Sequence, residues 1–427
     1  MPKPKISSLR AEIASIIDPQ RIRELADQLG VVKRVRKVDV VALVAAVTLG
    51  FGSTSERTIA LLRRAYEHAT GQTLAASAFY DRLSAPFAAL LKTLVEEAMS
   101  TMQANAPALK SSLERFKQVL VADGSILRLQ DGLAKHFPSA WTNHTKASAK
   151  LHVVINVAGR SAQSVTLTKG SRQDVRILKV GKWIRGKLLI FDLAYQKGLL
   201  FQRIQEYGGF FLIRKKTNLN PKITHGPKHF VGRRLSEIEQ DLKGDVVDLQ
   251  ATITWHFDRG PNKVVQHDLA VRVVGSWHAE ERAYRFYITN ATPELLAAEH
   301  VAAVYAARWE IELFFREIKS QYRIDQLPTR NRHVAECLIY AALLTALVSR
   351  RLRQALFSLR RPAAVERWAI VFTTFALDLL CLLRDRTAHS RRAEQRLIKT
   401  LRREGLDPNK NRQSLLLRAQ AGHLVTT

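Results

Sequence analysis

Four polar residues late in the chain have the types and the spacing that suit chemistry on phosphate esters. Tyr305, Arg308, Glu312 and Lys319 are separated by two, three and six intervening residues. At about 100° per residue of an α-helix, all four fall within about 60° of arc. Such a stripe sets a carboxylate that could bind a metal ion beside two cations and a phenol that could bind phosphate. The ordinary alternative is a solvated helix face with a stabilising Arg–Glu pair at i, i+4.

The residues around this stripe predict the helix that positions it. A broad neighbouring face is apolar and consists of Val304, Ala307, Ile311, Phe314, Phe315 and Ile318. This pattern is typical of an amphipathic helix that packs on a protein core. On the same wheel Glu310 and Glu317 point away from Glu312, and we interpret Trp309 as a packing residue.

Two aspartates follow apolar runs that have the length of buried strands. Asp123 follows Val119–Ala122, and Asp192 follows Leu188–Phe191. Asp is an ordinary turn residue, but a carboxylate at the end of a buried strand is costly unless it is paired or binds a cation. Together with Glu312, these residues could hold divalent ions. Oxygen-only ligation suits Mg²⁺, and a pair of such ions catalyses phosphodiester transfer.

The composition indicates a polyanionic partner. The chain of 427 residues carries a formal net charge of +29, with 46% hydrophobic residues. A basic excess spread along the chain favours a nucleic-acid backbone over a membrane surface. The longest apolar run, 368–383, contains Asp378 and is short for a membrane span, and the first ten residues do not resemble a secretion signal. Cys337 and Cys381 fit buried thiols better than a disulfide or a zinc site.

The order of predicted elements gives an α/β fold class. Strand signals at 119–122, 151–157 and 164–168 precede a helix, a strand, a helix and a strand, which predicts a mixed sheet. We expect five regions: a helical DNA-binding or capping domain (1–110), the first part of the core (111–214), a strand-rich insertion (215–290), the rest of the core with the signature helix (291–350), and a helical basic C-terminal region (351–427).

The chain resembles the DDE transposases of the insertion-sequence-four type, which share a ribonuclease H-like catalytic core. The residues that carry the resemblance are the Tyr305, Arg308, Glu312 and Lys319 signature, Asp123 in Asp123-Gly124-Ser125, Asp192 followed by Tyr195, and the Lys150-Leu151-His152 triplet. The resemblance implies cut-and-paste DNA transposition through a hairpin intermediate. It also implies that Asp123, Asp192 and Glu312 are catalytic and bind two Mg²⁺ ions, for which Mn²⁺ can substitute.

The expected partners are the terminal inverted repeats of a transposon and target DNA, both double-stranded, bound by a homodimer in the bacterial cytoplasm at the nucleoid. Some family members place a Trp on the strand before the signature helix to stack a flipped base, and here Arg285 with Tyr284 stands nearest that position. The predicted DNA-binding residues are Tyr305, Arg308, Lys319, Arg285, Tyr284, Lys215 and Lys216.

Two other functions remain open at this point. One is a non-catalytic, sequence-specific DNA-binding relative, and the other is a metal-dependent nuclease of the same core fold. Asp131 and Asp174 are further acids that we interpret as a turn residue and a helix-start residue. For His144 and His152, we favour structural roles over contact with DNA or metal.

Overall fold

The computed structural model describes residues 8–31, 38–52, 58–104, 109, 113–141, 144–158, 161–258, 264–325, 327–357, 364–384 and 388–406. Within these residues, nine strands form one sheet: β1 (Val119–Arg128), β2 (Ser148–Asn156), β3 (Ser161–Lys169), β4 (Leu188–Phe191), β5 (Phe210–Arg214), β6 (Lys222–His225), β7 (Val246–Asp258), β8 (Val264–His278) and β9 (Ala283–Thr289).

The strand order is β3-β2-β1-β4-β5-β9-β8-β7-β6. Strands β1, β2 and β3 pair antiparallel, and β4 and β5 are parallel to β1. This order and these directions confirm the predicted ribonuclease H-like core. Strand β9 then pairs antiparallel with β5, and β8, β7 and β6 follow, so the strands between 215 and 290 extend the core sheet at one edge.

The described helices lie before, between and after the strands. They are α1 (Leu9–Ala14), α2 (Pro19–Gln28), α3 (Val40–Gly52), α4 (Ile59–Thr70), α5 (Ala76–Tyr80), α6 (Ala85–Ala104), α7 (Asp174–Ile177), α8 (Gly198–Glu206), α9 (Leu235–Ile238), α10 (Ala298–Ala306), α11 (Trp309–Arg316), α12 (Arg332–Leu356), α13 (Val365–Thr374), α14 (Ala376–Arg384) and α15 (Ala388–Glu404). The described parts of the N-terminal and C-terminal regions are therefore helical, as predicted.

Local sequence signals set several of the helix ends. The Thr58 side chain accepts a hydrogen bond from the N–H of Leu61 at the start of α4, and Gly71 ends that helix with a φ of 66°. The Asn331 side chain caps α12 by accepting from two backbone N–H groups. These caps satisfy backbone groups that a helix end leaves unpaired.

The sheet separates two hydrophobic cores. The helix-side core contains Val121 and Ile190 of the sheet and is covered by α6, α11 and α12. The outer core contains Ala122 and Phe191 and packs under α8 and α9. Consecutive strand residues point to opposite faces, so odd positions of β1 and even positions of β4 face the helix-side core.

Helix α12 is the centre of the helical layer. By length and composition it could cross a membrane, but 83% of its most apolar window is buried inside the fold. The longest apolar run in the sequence, 368–383, lies outside this helix. Helix α12 packs against α1, α3, α6, α13 and α15. Arg351 at its end pairs with Glu12 of α1 at 2.7 Å, and the Ser8 hydroxyl donates to Glu394 of α15 at 2.7 Å. These contacts join the N-terminal and C-terminal helices into one layer.

Three predicted boundaries differ from the structure. Strand β1 runs on to Arg128, so Asp123 lies inside the strand and not at its end. The sequence pattern predicts a helix over 174–182, whereas α7 has only four residues and is followed by a loop and a 3-10 turn at Lys182–Ile184. The predicted signature helix is divided into α10, α11 and a π-helical turn at Glu317–Gln321.

Candidate active site

Strand register places two of the predicted catalytic acids side by side. In the parallel pair of β1 and β4, Ala122 lies opposite Phe191, so Asp123 and Asp192 are the next residues along the two strands. Both fall on the face of the helix-side core by alternation, and neighbouring strands are about 4.8 Å apart. The two carboxylates therefore share one face of the sheet, although only Asp192 follows the end of its strand.

The same register extends this pair into a polar row of Asp123, Asp192, Arg214 and Tyr287. Phe191 lies opposite Ile213, which makes Arg214 the neighbour of Asp192, and Arg214 lies opposite Tyr287 of β9. Arg214 is exposed. It is not among the residues predicted from sequence, although a basic residue that ends a strand parallel to the aspartate strands was the signal that could have identified it.

Asp123 occupies an environment that disfavours its charge. Burial raises the pKa of this carboxyl to about 6, and the carboxylates of Asp192 and Asp174 also raise it. The N–H of Gly124 donates to Asp123 Oδ1 at 2.7 Å, and this bond and the charge of Arg308 act in the opposite direction. A part-buried carboxylate beside other acids is a site that a bound cation would stabilise.

The signature segment does not follow one regular α-helix. Between α10 and α11, the backbone N–H groups of residues 307, 308, 310 and 311 bond three residues back, at 2.9–3.2 Å. This tight winding turns the chain faster than an α-helix does, whereas the π-helical turn after α11 turns it more slowly. The stripe predicted from an ideal wheel is therefore assembled from three differently wound pieces.

Two signature residues lie over the polar row. The Arg308 guanidinium is hydrogen-bonded to Glu312, four residues later, and its charge acts on both Asp123 and Asp192. The Tyr305 ring packs against Tyr287 at 5.2 Å between centroids. Burial raises the pKa of Tyr305 to about 12, so its phenol stays a hydrogen-bond donor at neutral pH. Glu312 is thus connected to the acidic site through its pairing with Arg308.

Lys319 has charged neighbours other than the aspartate pair. Burial lowers the pKa of its ammonium, and its charged neighbours are Asp325 and Arg128. Arg128 stands five positions after Asp123 on β1, roughly 17 Å along the strand at about 3.4 Å per residue. The structure therefore brings Tyr305 and Arg308 to the acids, pairs Glu312 with Arg308, and gives Lys319 different charged neighbours.

Two other side chains of this segment clarify its packing. Trp309, predicted to pack in the core, is 48% exposed beside Arg308, because the tight turn carries it to the surface. Glu317 points away from Glu312, as predicted, and is buried where its Oε2 accepts from Arg350 of α12 at 2.5 Å. This pair ties the π-helical turn to the helical layer.

Two of the predicted DNA-binding residues, Lys215 and Lys216, make hydrogen bonds within the protein. The Lys215 ammonium donates to the carbonyls of Lys216 and Leu219 at 3.2 and 3.1 Å, and burial lowers its pKa. It lies near Phe286, on the outer side of the sheet. The N–H of Lys216 donates to the Gln196 side chain at 2.9 Å.

The residues nearest the expected stacking position form a small aromatic cluster on β8 and β9. The Tyr284 ring lies edge-on to Trp277 at 5.1 Å and stacked with Phe286 at 5.9 Å. Arg285 is paired with Glu281 at 2.6 Å, four residues earlier. Trp277 is 40% exposed, and Tyr284 and Phe286 lie on the outer side of the sheet.

The remaining candidates from the sequence lie in exposed turns or on the outer face of the sheet. Asp131 is exposed in a 3-10 turn, and His144 is exposed with a φ of 50°. Asp174 begins α7, as predicted, and contacts the buried His152 on the outer face of the sheet. The preference for a structural role fits His152, whose ring lies between Asp174 and Thr168.

The acidic site fits a divalent metal by its donor set. Asp123 and Asp192 provide carboxylate oxygens on one face, and the raised pKa of Asp123 reflects burial and repulsion that a cation would relieve. In the part of the chain that is described, no group of three or more His, Cys, Asp or Glu side chains is arranged to hold a metal as it stands. The third predicted acid, Glu312, is paired with Arg308.

Known proteins share this sequence pattern. A family described as "Transposase DDE domain" matches residues 114–348, which include all residues of the polar row and the signature segment. The transposase for insertion sequence element IS1151 of Clostridium perfringens is 21% identical over 267 residues, covering 55% of this chain and 56% of that protein. The chain thus spans little more than half the length of this relative.

Longer alignments are found with two other relatives. The transposase for insertion sequence element IS231B of Bacillus thuringiensis subsp. berliner is 21% identical and covers 79% of this chain and 78% of that protein. The transposase for element IS231F of Bacillus thuringiensis subsp. israelensis is 21% identical, with 92% and 91% covered. A cryo-EM structure of the piggyBac transposase synaptic complex with hairpin DNA covers 93% of this chain and 86% of that chain, with a TM-score of 0.42 and 8% identity.

Proposed function

Because the chain belongs to the transposase DDE domain family, it is a DNA transposase, and we propose that Asp123, Asp192 and Glu312 are its catalytic acids. The observation that carries the assignment is the register of β1 and β4, which sets Asp123 beside Asp192 under the Arg308–Glu312 pair. Each residue comes from a different element, so the proposal requires the folded sheet and the tight turn after α10 to position them.

The family implies dependence on a divalent metal, and we propose Mg²⁺, for which Mn²⁺ can substitute. Asp123 and Asp192 would hold the ions, with Glu312 completing the oxygen ligands. Two bound ions supply activation of the attacking water or hydroxyl and stabilisation of the leaving oxygen in phosphodiester transfer.

The surrounding residues bind and orient the DNA strand. Arg308 offers a planar guanidinium for bidentate binding of the phosphate next to the acids. Tyr305 stays protonated and can donate a hydrogen bond to the same backbone. Arg214, exposed beside Asp192, places a second cation at the end of the polar row. Lys319 would bind a phosphate further along the strand.

The reaction we propose is cleavage at the transposon ends, attack of the freed 3′ hydroxyl on the opposite strand to form a hairpin, hairpin opening and joining to target DNA. A hairpin needs a flipped base, and Tyr284 on β9 is the aromatic residue that we propose stacks it. Arg285, next to Tyr284, would contribute a cation there. We place the reaction at the nucleoid, with a homodimer bridging two terminal inverted repeats.

The test is a cleavage and strand-transfer assay with purified protein, Mg²⁺ and labelled DNA that carries the terminal inverted repeats. We expect nicking, a hairpin product and joined target DNA, with none of these products when EDTA is added. Tight binding without any cleavage would support the non-catalytic DNA-binding relative. Cleavage without joining would support the metal-dependent nuclease.

The charge of the chain gives a second test. With a net charge of +29, DNA binding should release many counterions. If about ten phosphates are neutralised, affinity should fall by roughly 10⁵ between 50 and 200 mM salt. An affinity that does not change with salt would contradict an electrostatic mode of binding.

A further inference from the structure

The face of the sheet opposite the catalytic acids carries a second charged cluster. Asp174 accepts from Lys150 Nζ through Oδ2 at 2.6 Å, and its Oδ1 lies 2.9 Å from His152 Nδ1. His152 Nε2 is 2.8 Å from Thr168 Oγ1. Lys150 and His152 belong to β2 and Thr168 to β3, so the cluster links the start of α7 to two strands.

This cluster packs closely against Gly124, the residue that follows Asp123. A Cβ atom built on Gly124 would lie 1.9 Å from Asp174 Oδ1 and 3.3 Å from His152 Nδ1. Gly124 lies opposite His152 in the β1–β2 pair, and its φ is not in the left-handed region. Glycine is therefore needed here for space and not for backbone conformation, because the Asp174 carboxylate fills the place of a side chain.

Gly124 is also tied to the catalytic acid on the other face. Its N–H donates to Asp123 Oδ1 at 2.7 Å, which fixes the rotamer of that carboxylate. The backbone at 123–124 is thus held by Asp123 on one face and by Asp174 on the other. A shift of Asp174 would move the N–H that orients Asp123.

We propose that Asp174, held by Lys150 and His152, is a positioning residue that fixes Asp123 by packing on Gly124. The inference rests on the proposed catalytic role of Asp123. Asp174 does not share a metal with Asp123, because the two carboxylates lie on opposite faces of β1. Its contribution is to hold the strand, and hence the catalytic carboxylate, in one geometry.

A double-mutant cycle tests the packing. We expect Asp174→Ala to lower the cleavage rate by about 10–100-fold, the usual loss when a group that orients a metal ligand is removed. Gly124→Ala should cost at least as much, because its methyl group collides with Asp174. In the double variant the methyl group occupies the space that Asp174 leaves, so the loss should not exceed that of Asp174→Ala alone. Losses that multiply in the double variant would overturn the proposal.

Two controls separate positioning from loss of fold. Asp174→Asn keeps the size and one acceptor oxygen, and should retain more activity than Asp174→Ala. Asp131→Ala removes an exposed aspartate from the loop after β1 and should leave the cleavage rate unchanged. For Asp174→Asn and Asp131→Ala we expect a DNA Kd within about twofold of wild type and an unchanged melting curve by circular dichroism. Equal loss in the Asn and Ala variants would contradict a packing role.

A further measurement does not depend on transposition. Titration of the DNA-free protein with Mn²⁺, followed by electron paramagnetic resonance, reports the affinity of the acid pair. We expect a roughly tenfold weaker Kd in Asp174→Ala. If the wild type binds Mn²⁺ but does not cut DNA, the proposed function fails while this test still applies. If it cuts DNA and the variant binds Mn²⁺ as tightly as wild type, only the positioning role fails.

Discussion

The two halves of the candidate site are positioned by different means. Asp123 and Asp192 lie on adjacent parallel strands, where hydrogen-bond register fixes which residues are neighbours. Tyr305, Arg308, Glu312 and Lys319 lie on a segment that changes from α to tight winding, back to α, and then to a π-helical turn. Strand register can change only by whole residues, so the strand pair has one geometry. The winding of a helical segment can vary gradually and depends on what the segment packs against.

This difference predicts different roles along the signature segment. Arg308, in the tight turn, acts on the aspartates and pairs with Glu312, while Lys319, on the π-helical turn, has Asp325 and Arg128 as its charged neighbours. We infer that the strand acids and Arg308 serve the chemical step and that Lys319 serves binding. The variants below test this separation, starting from the largest expected effect.

Removing an acid should have the largest effect. We expect Asp123→Asn and Asp192→Asn each to lower the cleavage rate by at least about a thousandfold, since metal-ion catalysis contributes several kcal/mol. Glu312→Gln should do the same if its carboxylate joins the site. DNA Kd, measured by fluorescence anisotropy, should change little. Cleavage near the wild-type rate in any one variant would remove that residue from the site.

Breaking the buried pair behind the π-helical turn should mainly affect stability. Glu317→Ala leaves the buried Arg350 without this carboxylate and should lower the free energy of unfolding by about 3 kcal/mol. The double variant Glu317→Gln, Arg350→Met should recover part of the loss, because no buried charge is then left behind. Urea denaturation measures both effects, and a loss below about 1 kcal/mol in Glu317→Ala would show that the turn does not depend on the pair.

Removing either of the two signature cations, Arg308 or Lys319, should affect different steps of the reaction. Arg308→Ala should lower the rate of the cleavage step about thirtyfold, about 2 kcal/mol, which is typical of a charge-assisted hydrogen bond. Lys319→Ala should instead weaken DNA binding several-fold with little change in the single-turnover rate. Equal effects on rate and on Kd in the two variants would contradict the separation of roles.

The smallest expected effect is the pH-dependent change in stability caused by Asp123→Asn. Burial and neighbouring acids raise the pKa of Asp123 from 3.8 to about 6, so its ionised form is disfavoured in the folded protein. With EDTA present, Asp123→Asn should therefore be more stable than wild type at pH 8, by about 1–2 kcal/mol once solvent screening of a part-buried group is allowed for. The difference should shrink as pH falls through about 6 and vanish below about 4, where the carboxyl is neutral in both states. A difference that stays constant with pH would contradict this origin.

Much of the fold could be predicted because its signals are local. The runs 119–122 and 188–191 marked β1 and β4, and the alternating segments in 215–290 marked the long strands β7, β8 and β9. The boundaries were less well predicted. Strand β1 extends through Asp123 and Gly124 to Arg128 because pairing with β2 satisfies its backbone over the full length. Tertiary pairing here overrides a polar residue and a glycine that suggest a turn.

The sequence by itself determined the residue types of the site, the α/β class and the basic charge, since these depend on composition and on short-range periodicity. The tertiary structure decided which side chains meet: Arg214 beside Asp192, Glu312 bound to Arg308, Trp309 at the surface and Asp174 beneath Gly124. The physical reason is that such contacts join residues distant in the chain through strand register and helix winding. A single helical wheel or strand pattern contains no information about either.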